Sequence, residues 1–388
     1  MKKKFLVIIF IFLCVSKAYS LPAKYDLRDY NRVSGVKDQH ELETCWAFAV
    51  LGACESNYLT QNFGTSIDLS EQNLIDSVKH DFSFPTSKSR ADPFSAAAVL
   101  TRQTRDSFML RDIYFLSKNN PFDSLDNEAR KKLIMQHGAL YASIYLEHNQ
   151  IAAFRNHKVY FDKSKGKNIN HDVLIAGWDD EFPLFYFSPR PSQNGAWLVK
   201  DSWGDDKYFW LSYEQPISGG AAFILEKSSP DSRIYYHDEL GYCGAVPYNW
   251  AANVFRIRED CEYIKAISFY TSFNDTSYEL YVYEFGSVFP DSPVNGHLMA
   301  KLQGEFELAG YHTVKLPEEL SMWHGEYFSV VLKLGRKVMA VETKRENYSD
   351  KAVINHNESY FSTDGKHWTD GSSIDSNACI KVFTVIRN

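Results

Sequence analysis

From about Lys227 to its C-terminus the chain carries no helical periodicity. It runs instead as short stretches rich in aromatic and β-branched residues, at 254–257, 264–270, 278–285, 311–316, 327–334, 359–362 and 380–385, with turn residues between them. Strands at that spacing predict an all-β sandwich of jelly-roll type. In Tyr327–Leu334 the alternation of Phe328, Val330, Leu332 and Leu334 with Tyr327, Ser329, Val331 and Lys333 predicts one mainly buried face.

The first half has a different pattern. A run without Pro from Cys45, with Leu51, Cys54 and Tyr58 on one face, predicts a buried helix. Leu69-Ser70-Glu71-Gln72 opens a second helix, 93–103 reads as a third and 128–137 as a fourth. Strands follow from about Tyr141, at 173–176, 185–187, 196–200 and 208–213, so helices come first and strands second. A length of 388 residues exceeds what one core usually holds, which predicts two domains. The break at Ser228-Ser229-Pro230-Asp231 places the linker. The predicted division is therefore 1–20 as a signal peptide, 21–227 as an α+β domain, 228–249 as linker and lead-in, and 250–388 as a β-sandwich.

The signal peptide is read from three lysines, an apolar run from Phe5 to Val15 and the small-x-small site Ala18-Tyr19-Ser20. The run is too short to span a bilayer, so no transmembrane anchor is expected, and bulky Leu13 before Cys14 argues against lipidation. The mature chain is expected to be secreted or periplasmic, and the short lysine-rich signal favours bacterial export. The three glycosylation sequons at Asn274, Asn347 and Asn357 carry meaning only in a eukaryotic route. With 44% apolar and 23% charged residues the chain is globular rather than disordered. A net charge of −7, more negative once the lysines of the signal are removed, excludes nucleic acid as an expected partner.

Removal of Cys14 leaves five cysteines, an odd number that predicts one free and reactive thiol in an exported protein. Cys45 is the candidate. Cys54, Cys243, Cys261 and Cys379 allow three pairings; Cys54 reads equally as a small buried hydrophobe, and Cys243 with Cys261 forms a candidate local bridge. No His-Glu-x-x-His, Cys-x-x-Cys or Gly-x-x-x-x-Gly-Lys motif is present, so no metal or other cofactor is expected.

Cys45 stands where a nucleophile is favoured, because unpaired backbone N–H groups at a helix start stabilise a thiolate. Thr44 before it is a good capping type. The segment from Val36 through Gln39, Leu42, Glu43, Thr44, Cys45, Trp46, Ala47 and Phe48 resembles the nucleophile segment of the papain-like cysteine peptidases. Two more segments resemble the remainder of that family's site: Asn170-His171-Asp172-Val173-Leu174-Ile175-Ala176-Gly177-Trp178, and Asn194-Gly195-Ala196-Trp197-Leu198-Val199-Lys200-Asp201-Ser202-Trp203-Gly204. The order and the separations of His171 and Asp201 from Cys45, 126 and 156 residues, agree as well.

The resemblance implies a two-lobed α+β peptidase, with Cys45 as nucleophile, His171 as base and acid, and Gln39 as oxyanion donor. Position 201 normally holds an asparagine that orients the histidine; Asp201 departs from this, though a carboxylate accepts the same imidazole N–H. Trp203 matches the indole that shields this bond. Leu42 and Ser77 replace a cysteine pair that the family bridges, and Glu43 replaces a glycine that admits substrate. Asp172 falls near the main specificity pocket; read alone it is a solvated loop charge. No inhibitory propeptide of the usual length fits between the signal and the mature start.

Residues 250–388 resemble the lectin-like domain that follows papain-type domains in some bacterial secreted peptidases, on the segments 250–255, 278–283, 309–316 and 359–365. That resemblance implies a sandwich and offers a carbohydrate or cell-surface ligand as a second partner, beside a protein or peptide substrate. Trp323 and Trp368 read as packing residues, and no sugar site is assigned to them. The competing reading is a catalytically impaired protein acting as an exported glycan- or surface-binding protein. It is motivated by the altered groove and opposed by the joint presence of Cys45, His171 and Gln39.

Overall fold

The computed structural model describes residues 21–84, 91–105, 108–116, 124–163, 168–203 and 207–387; the signal peptide reading of residues 1–20 lies outside them. Four α-helices serve the first half: α1 (Cys45–Thr60), α2 (Glu71–Asp81), α3 (Pro93–Leu100) and α4 (Ser124–His137). Nearly every side chain of α1 is buried, which makes it the axis of the domain rather than an amphipathic surface helix. Its small residues let other elements close on it. A Cβ on Gly52 would sit 2.4 Å from Leu174 Cδ1, so the Leu174 side chain of the strand His171–Asp179 packs directly onto the helix backbone there. Helix α2 starts at Ser70, whose hydroxyl accepts from the Asn73 N–H. Helix α3 starts with a reciprocal capping box between Asp92 and Ser95 and Pro93 in the first turn, and ends at Leu100 rather than continuing to residue 103.

Two expectations about element order are corrected. The strand Phe108–Leu116 precedes α4, so helices and strands interleave. Residues 185–187, read as a strand, instead belong to the 3-10 turn Leu184–Tyr186 and its cap Phe187, with the Tyr186 N–H returning to the Pro183 carbonyl. A local aromatic run does not reveal whether a ladder partner exists, and here there is none.

A single open sheet runs through both halves of the chain. Its first-half strands are ordered Phe108–Leu116, Ile217–Lys227, Leu140–Ile144, His171–Asp179, Ala196–Lys200, Tyr208–Ser212, His157–Tyr160 and Ala152–Phe154. On the other side of Phe108–Leu116 it continues with Gly310–Met322, Glu262–Thr271, Ile380–Ile386 and Ser232–Tyr235. The join is antiparallel, pairing Gly310 with Tyr114 and Tyr311 with Ile113, and a Cβ on Gly310 would lie 2.0 Å from the Ile113 carbonyl oxygen. The Phe115 N–H reaches the Ala309 carbonyl at 2.9 Å, and the Thr313 N–H reaches the Asp112 carboxylate at 2.8 Å. Tyr270, Tyr311, Ala340 and Cys379 of the second half share one apolar core with α1 and α3.

The second half is a sandwich. A six-stranded sheet, ordered His297–Phe306, Thr276–Gly286, Tyr327–Leu334, Trp250–Arg256, Ser359–Ser362 and Thr369–Asp370, packs over the end of the long sheet. Phe328, Val330, Leu332 and Leu334 face that core with Ile264, Ile267, Phe269 and Val382, as the alternation predicts. The reverse face is less exposed than expected, since Val331 is buried beneath Trp250, Tyr281 and Tyr327. Trp368 packs there too, whereas Trp323 is 61% exposed. Cys45, Cys54, Cys243, Cys261 and Cys379 are all free, so the candidate bridge between Cys243 and Cys261 is not formed. Cys243 is buried with its thiol 3.2 Å from the Leu240 carbonyl, whereas Cys261 occupies a partly exposed turn. Among the described residues no helix is long and apolar enough to cross a membrane.

Candidate active site

The residues singled out by the sequence converge where three neighbouring strands end beside the start of α1. Strand Leu140–Ile144 pairs with His171–Asp179 so that Ser143 lies opposite Asp172 and Ile144 opposite His171. On its other side, His171–Asp179 pairs with Ala196–Lys200, and Asp201 follows directly. Cys45 is the first residue of α1 and is buried. Thr44 does not cap through its side chain: its hydroxyl is buried without a partner, and only its carbonyl serves the helix, accepting the Ala47 N–H at 2.9 Å.

His171 links the two sides. Its Nε2 donates to Asp201 Oδ1 at 2.7 Å, and its imidazole hydrogen-bonds the Cys45 thiol. Burial opposes the charged ring, but the Asp201 carboxylate and the Cys45 sulfur together raise its pKa to about 10. Asp201 is fully covered; burial alone would push its carboxyl up, and hydrogen bonds from His148 and His171 instead hold it at about 2. The backbone N–H groups of Ser202 and Trp203 also donate to Oδ1, at 2.7 and 3.3 Å.

Gln39 is held at three points. Its backbone N–H meets the Ser202 carbonyl at 2.8 Å, its Oε1 accepts from the Ser202 hydroxyl at 2.8 Å, and its Nε2 donates to the Leu42 carbonyl at 2.5 Å. The side-chain amide is thereby fixed, buried, just ahead of Cys45. Glu43 is exposed on the turn before α1. Leu42 and Ser77, standing for the missing bridge, are unconnected: Leu42 is exposed and the Ser77 hydroxyl turns back to the Asn73 carbonyl at 2.8 Å.

Asp172 corrects the reading of a solvated loop charge. It is 1% exposed, in the first turn of strand pairing, with Oδ1 accepting from the Ser143 hydroxyl at 2.6 Å and Oδ2 3.8 Å from Cys45 Sγ. Tyr141 extends this chain, its hydroxyl 3.0 Å from that of Ser143. Consecutive strand residues face opposite sides, and here both sides are covered, so an acid next to His171 is interior whichever way it points.

His148 went unnoticed in the sequence. Its Nε2 lies 3.0 Å from Asp201 Oδ2, its ring stands perpendicular to His171 with centroids 4.9 Å apart, and Trp203 meets it edge-on at 4.1 Å. Trp203 itself is 38% exposed. Among the described residues, His148, His171 and Asp201 form a group able to share a metal ion, with ligand atoms within 4.8 Å of one another. Their 2.7 and 3.0 Å contacts are those of N–H···O hydrogen bonds. Behind the site Lys37 pairs with Glu55, Asp68 and Glu71 at 2.7 to 2.8 Å, and the Lys200 amine rests on the Ser34 and Gly35 carbonyls at 3.0 and 2.8 Å.

Comparison with known proteins matches the two halves of the chain separately. Residues 21–83 and 90–215 match the profile described as papain family cysteine protease, and residues 234–384 that described as lectin like domain. Procathepsin L of Mus musculus is 26% identical over 200 residues, 48% of this chain and 58% of the relative. Cathepsin L of Sarcophaga peregrina is 27% identical over 200 residues, 48% of this chain and 56% of the relative. The chain spans little more than half the length of these curated relatives. Among solved structures, the clostridial cysteine protease Cwp84 after propeptide cleavage aligns over 94% of this chain and 99% of its own, with TM-score 0.79 and 24% identity. The cysteine protease and lectin-like domains of Cwp84, described as a surface layer associated protein of Clostridium difficile, align over 95% and 90% with TM-score 0.78 and 23% identity. These two likenesses are of fold, and they span both halves.

Proposed function

Because residues 21–83 and 90–215 match the papain family of cysteine proteases and residues 234–384 match a lectin-like domain, we propose that the chain is a bacterial exported peptidase that hydrolyses peptide bonds through a thioester on Cys45. The observation that carries this reading is the buried relay from Cys45 through His171 to Asp201, with Gln39 fixed beside it. Export is supported by the signal-like segment 1–20 and by the surface-layer association given for Cwp84.

In this reading His171 Nδ1 takes the Cys45 proton, and the sulfur adds to the peptide carbonyl. The oxyanion is held by the Cys45 N–H and the Gln39 amide, each such donor contributing about 10²–10³ in rate. The C–N bond breaks as His171 protonates the leaving amine. Water then attacks, passing a proton to His171; the C–S bond breaks and the thiol is restored. Asp201 keeps the ring turned so that Nε2–H is occupied and Nδ1 faces the sulfur. Asp172, Glu43 and Trp203 border the groove, and the lectin-like domain, residues 250–388, holds a sugar or surface partner near the substrate.

The test is cleavage of a mixed peptide library by residues 21–388, with Cys45→Ala as control and products read by mass spectrometry. Cleavage that disappears in the control is the expected result. Intact peptides in both samples would overturn the reading.

A further inference from the structure

A carboxylate at position 201, in place of an amide, creates a problem that an amide does not. An amide carbonyl accepts the imidazole N–H at every pH. A buried carboxyl gives the stronger, charge-assisted bond only while ionised, and burial favours its neutral form. Once protonated, it keeps only a neutral, weaker acceptor for the His171 Nε2–H, and it no longer supports the imidazolium that pairs with the Cys45 thiolate. Asp201 works only if something keeps its negative charge inside the protein.

The structure holds that something against the second oxygen. Oδ1 of Asp201 is taken by His171 and the backbone N–H groups of residues 202 and 203; Oδ2 receives His148 Nε2 at 3.0 Å. We propose that His148 is a positioning residue, which acts through Asp201 to keep the carboxylate ionised and unrotated and so holds His171 in the tautomer that presents Nδ1 to Cys45. This rests on the peptidase reading above.

His148 is itself built in. It begins the 3-10 turn His148–Gln150, closed by the Ile151 N–H on its carbonyl at 3.2 Å. The loop before it is clipped to the catalytic strand by Asn170, the neighbour of His171, whose side chain bonds the Leu146 N–H at 2.8 Å and the Leu146 carbonyl at 2.9 Å. Trp203 packs edge-on against its ring, with centroids 4.1 Å apart. The distance from His148 to Asp201 is thus set by the same strand pairing that sets His171. Among the described residues, the charged and titratable groups around the pair are few. Asp201 is faced by the two histidines; His171 is faced by Cys45, which has Asp172 beyond it. Glu147 next to His148 is engaged by the Tyr145 hydroxyl, and Lys37, Glu55, Glu71 and Lys200 pair among themselves or with backbone carbonyls across the small cavity behind Asp201. Of these groups only His148 offers Asp201 a second side-chain donor. The pKa of Asp201, held at about 2 with His148 the strongest of the lowering causes, agrees with this arrangement.

The experiment uses full mature chains carrying His148→Ala and His148→Gln, the glutamine restoring an N–H donor without a titrating ring. In His148→Ala the acid limb of the kcat/KM profile is expected to move up by about one pH unit, a tenfold loss on that limb, with kcat reduced more than KM; His148→Gln returns the limb toward wild type. Proton and nitrogen NMR of His171, read in a Cys45→Ala background, gives the same answer without turnover. On acidification the Nε2–H resonance should lose its downfield shift at higher pH in His148→Ala than in the parent, and His148→Gln should restore the parent behaviour. An unchanged limb and unchanged resonance in a folded His148→Ala chain overturn the proposal, as does a glutamine variant that rescues neither. If the wild-type chain cleaves nothing while the NMR shift appears, the peptidase reading fails and the positioning role stands.

Discussion

Replacing Asp201 by asparagine restores the group that the papain family normally carries and removes one buried charge. The wild-type His171 pKa of about 10 lies between three and four units above 6.5, a net preference for imidazolium of roughly 5 kcal/mol at 1.36 kcal/mol per unit. That preference survives burial because Asp201 and Cys45 both act on the ring. Assigning about half of it to the Asp201 charge predicts that Asp201→Asn lowers the His171 pKa by roughly two units, about 2–3 kcal/mol. The imidazolium is what pairs with the attacking thiolate, so the basic limb of kcat/KM, and of Cys45 labelling by an epoxide, should fall by about two pH units. The effect on folding has a definite sign. His171 stabilises the fold fully below its unfolded value of about 6.5 and loses that contribution as pH rises through about 10. Asp201 stabilises above about 3.8 and loses its contribution as pH falls through about 2. Asp201→Asn should therefore flatten the stability profile at both ends. A variant whose basic limb stays within a few tenths of a unit of wild type would refute the claim that the carboxylate charge, rather than a mere acceptor, sets the state of His171.

The other predictions concern separate parts of the molecule. Gln39→Ala should lower kcat by about 10²–10³ with little change in KM, measured on a peptide that the wild type cleaves; a loss confined to KM would remove Gln39 from the oxyanion site. Asp172→Asn takes a carboxylate away from a sulfur 3.8 Å distant, so iodoacetamide should alkylate Cys45 several-fold faster below neutrality; an equal or slower rate would show that the acid does not oppose the thiolate. Lys381→Met breaks an ion pair with Asp238 in which both side chains are fully buried, and should cost about 3–5 kcal/mol in denaturant unfolding. Deleting residues 228–388 uncovers the strand Phe108–Leu116 and the core shared with Tyr270 and Tyr311, so the shortened chain should bind ANS and lack a cooperative thermal transition. A sharp calorimetric peak from it would show that the first half folds alone.

How much of this was legible in the sequence depended on whether the signal was local. The face of Tyr327–Leu334 could be read because alternation along one strand needs no knowledge of partners. Phe108–Leu116 could not: it is paired on both edges and covered on both sides, and its burial follows no period of two. His297–Phe306 escaped for the opposite reason, being mostly exposed, with Ala300, Leu302 and Phe306 only partly buried against the core. The join at Gly310 and Tyr311 unites segments some two hundred residues apart, and nothing in either announces the other.

The site divides along the same line, and the division bears on how it works. Cys45, His171, Asp201 and Gln39 lie in segments whose residue types and order are informative together. His148 lies in no such segment, and it is brought to Asp201 only because Leu140–Ile144 pairs with the catalytic strand and Asn170 clips the following loop to it. Its necessity nevertheless follows from something written in the sequence, the aspartate at position 201. A buried carboxylate in an amide's place implies a further donor within hydrogen-bond reach, since His171 and the backbone N–H groups of residues 202 and 203 all serve Oδ1 and leave a charged Oδ2 to be satisfied. The departure at one position thus implied a compensating residue elsewhere, and only the pairing of the strands identifies which residue it is.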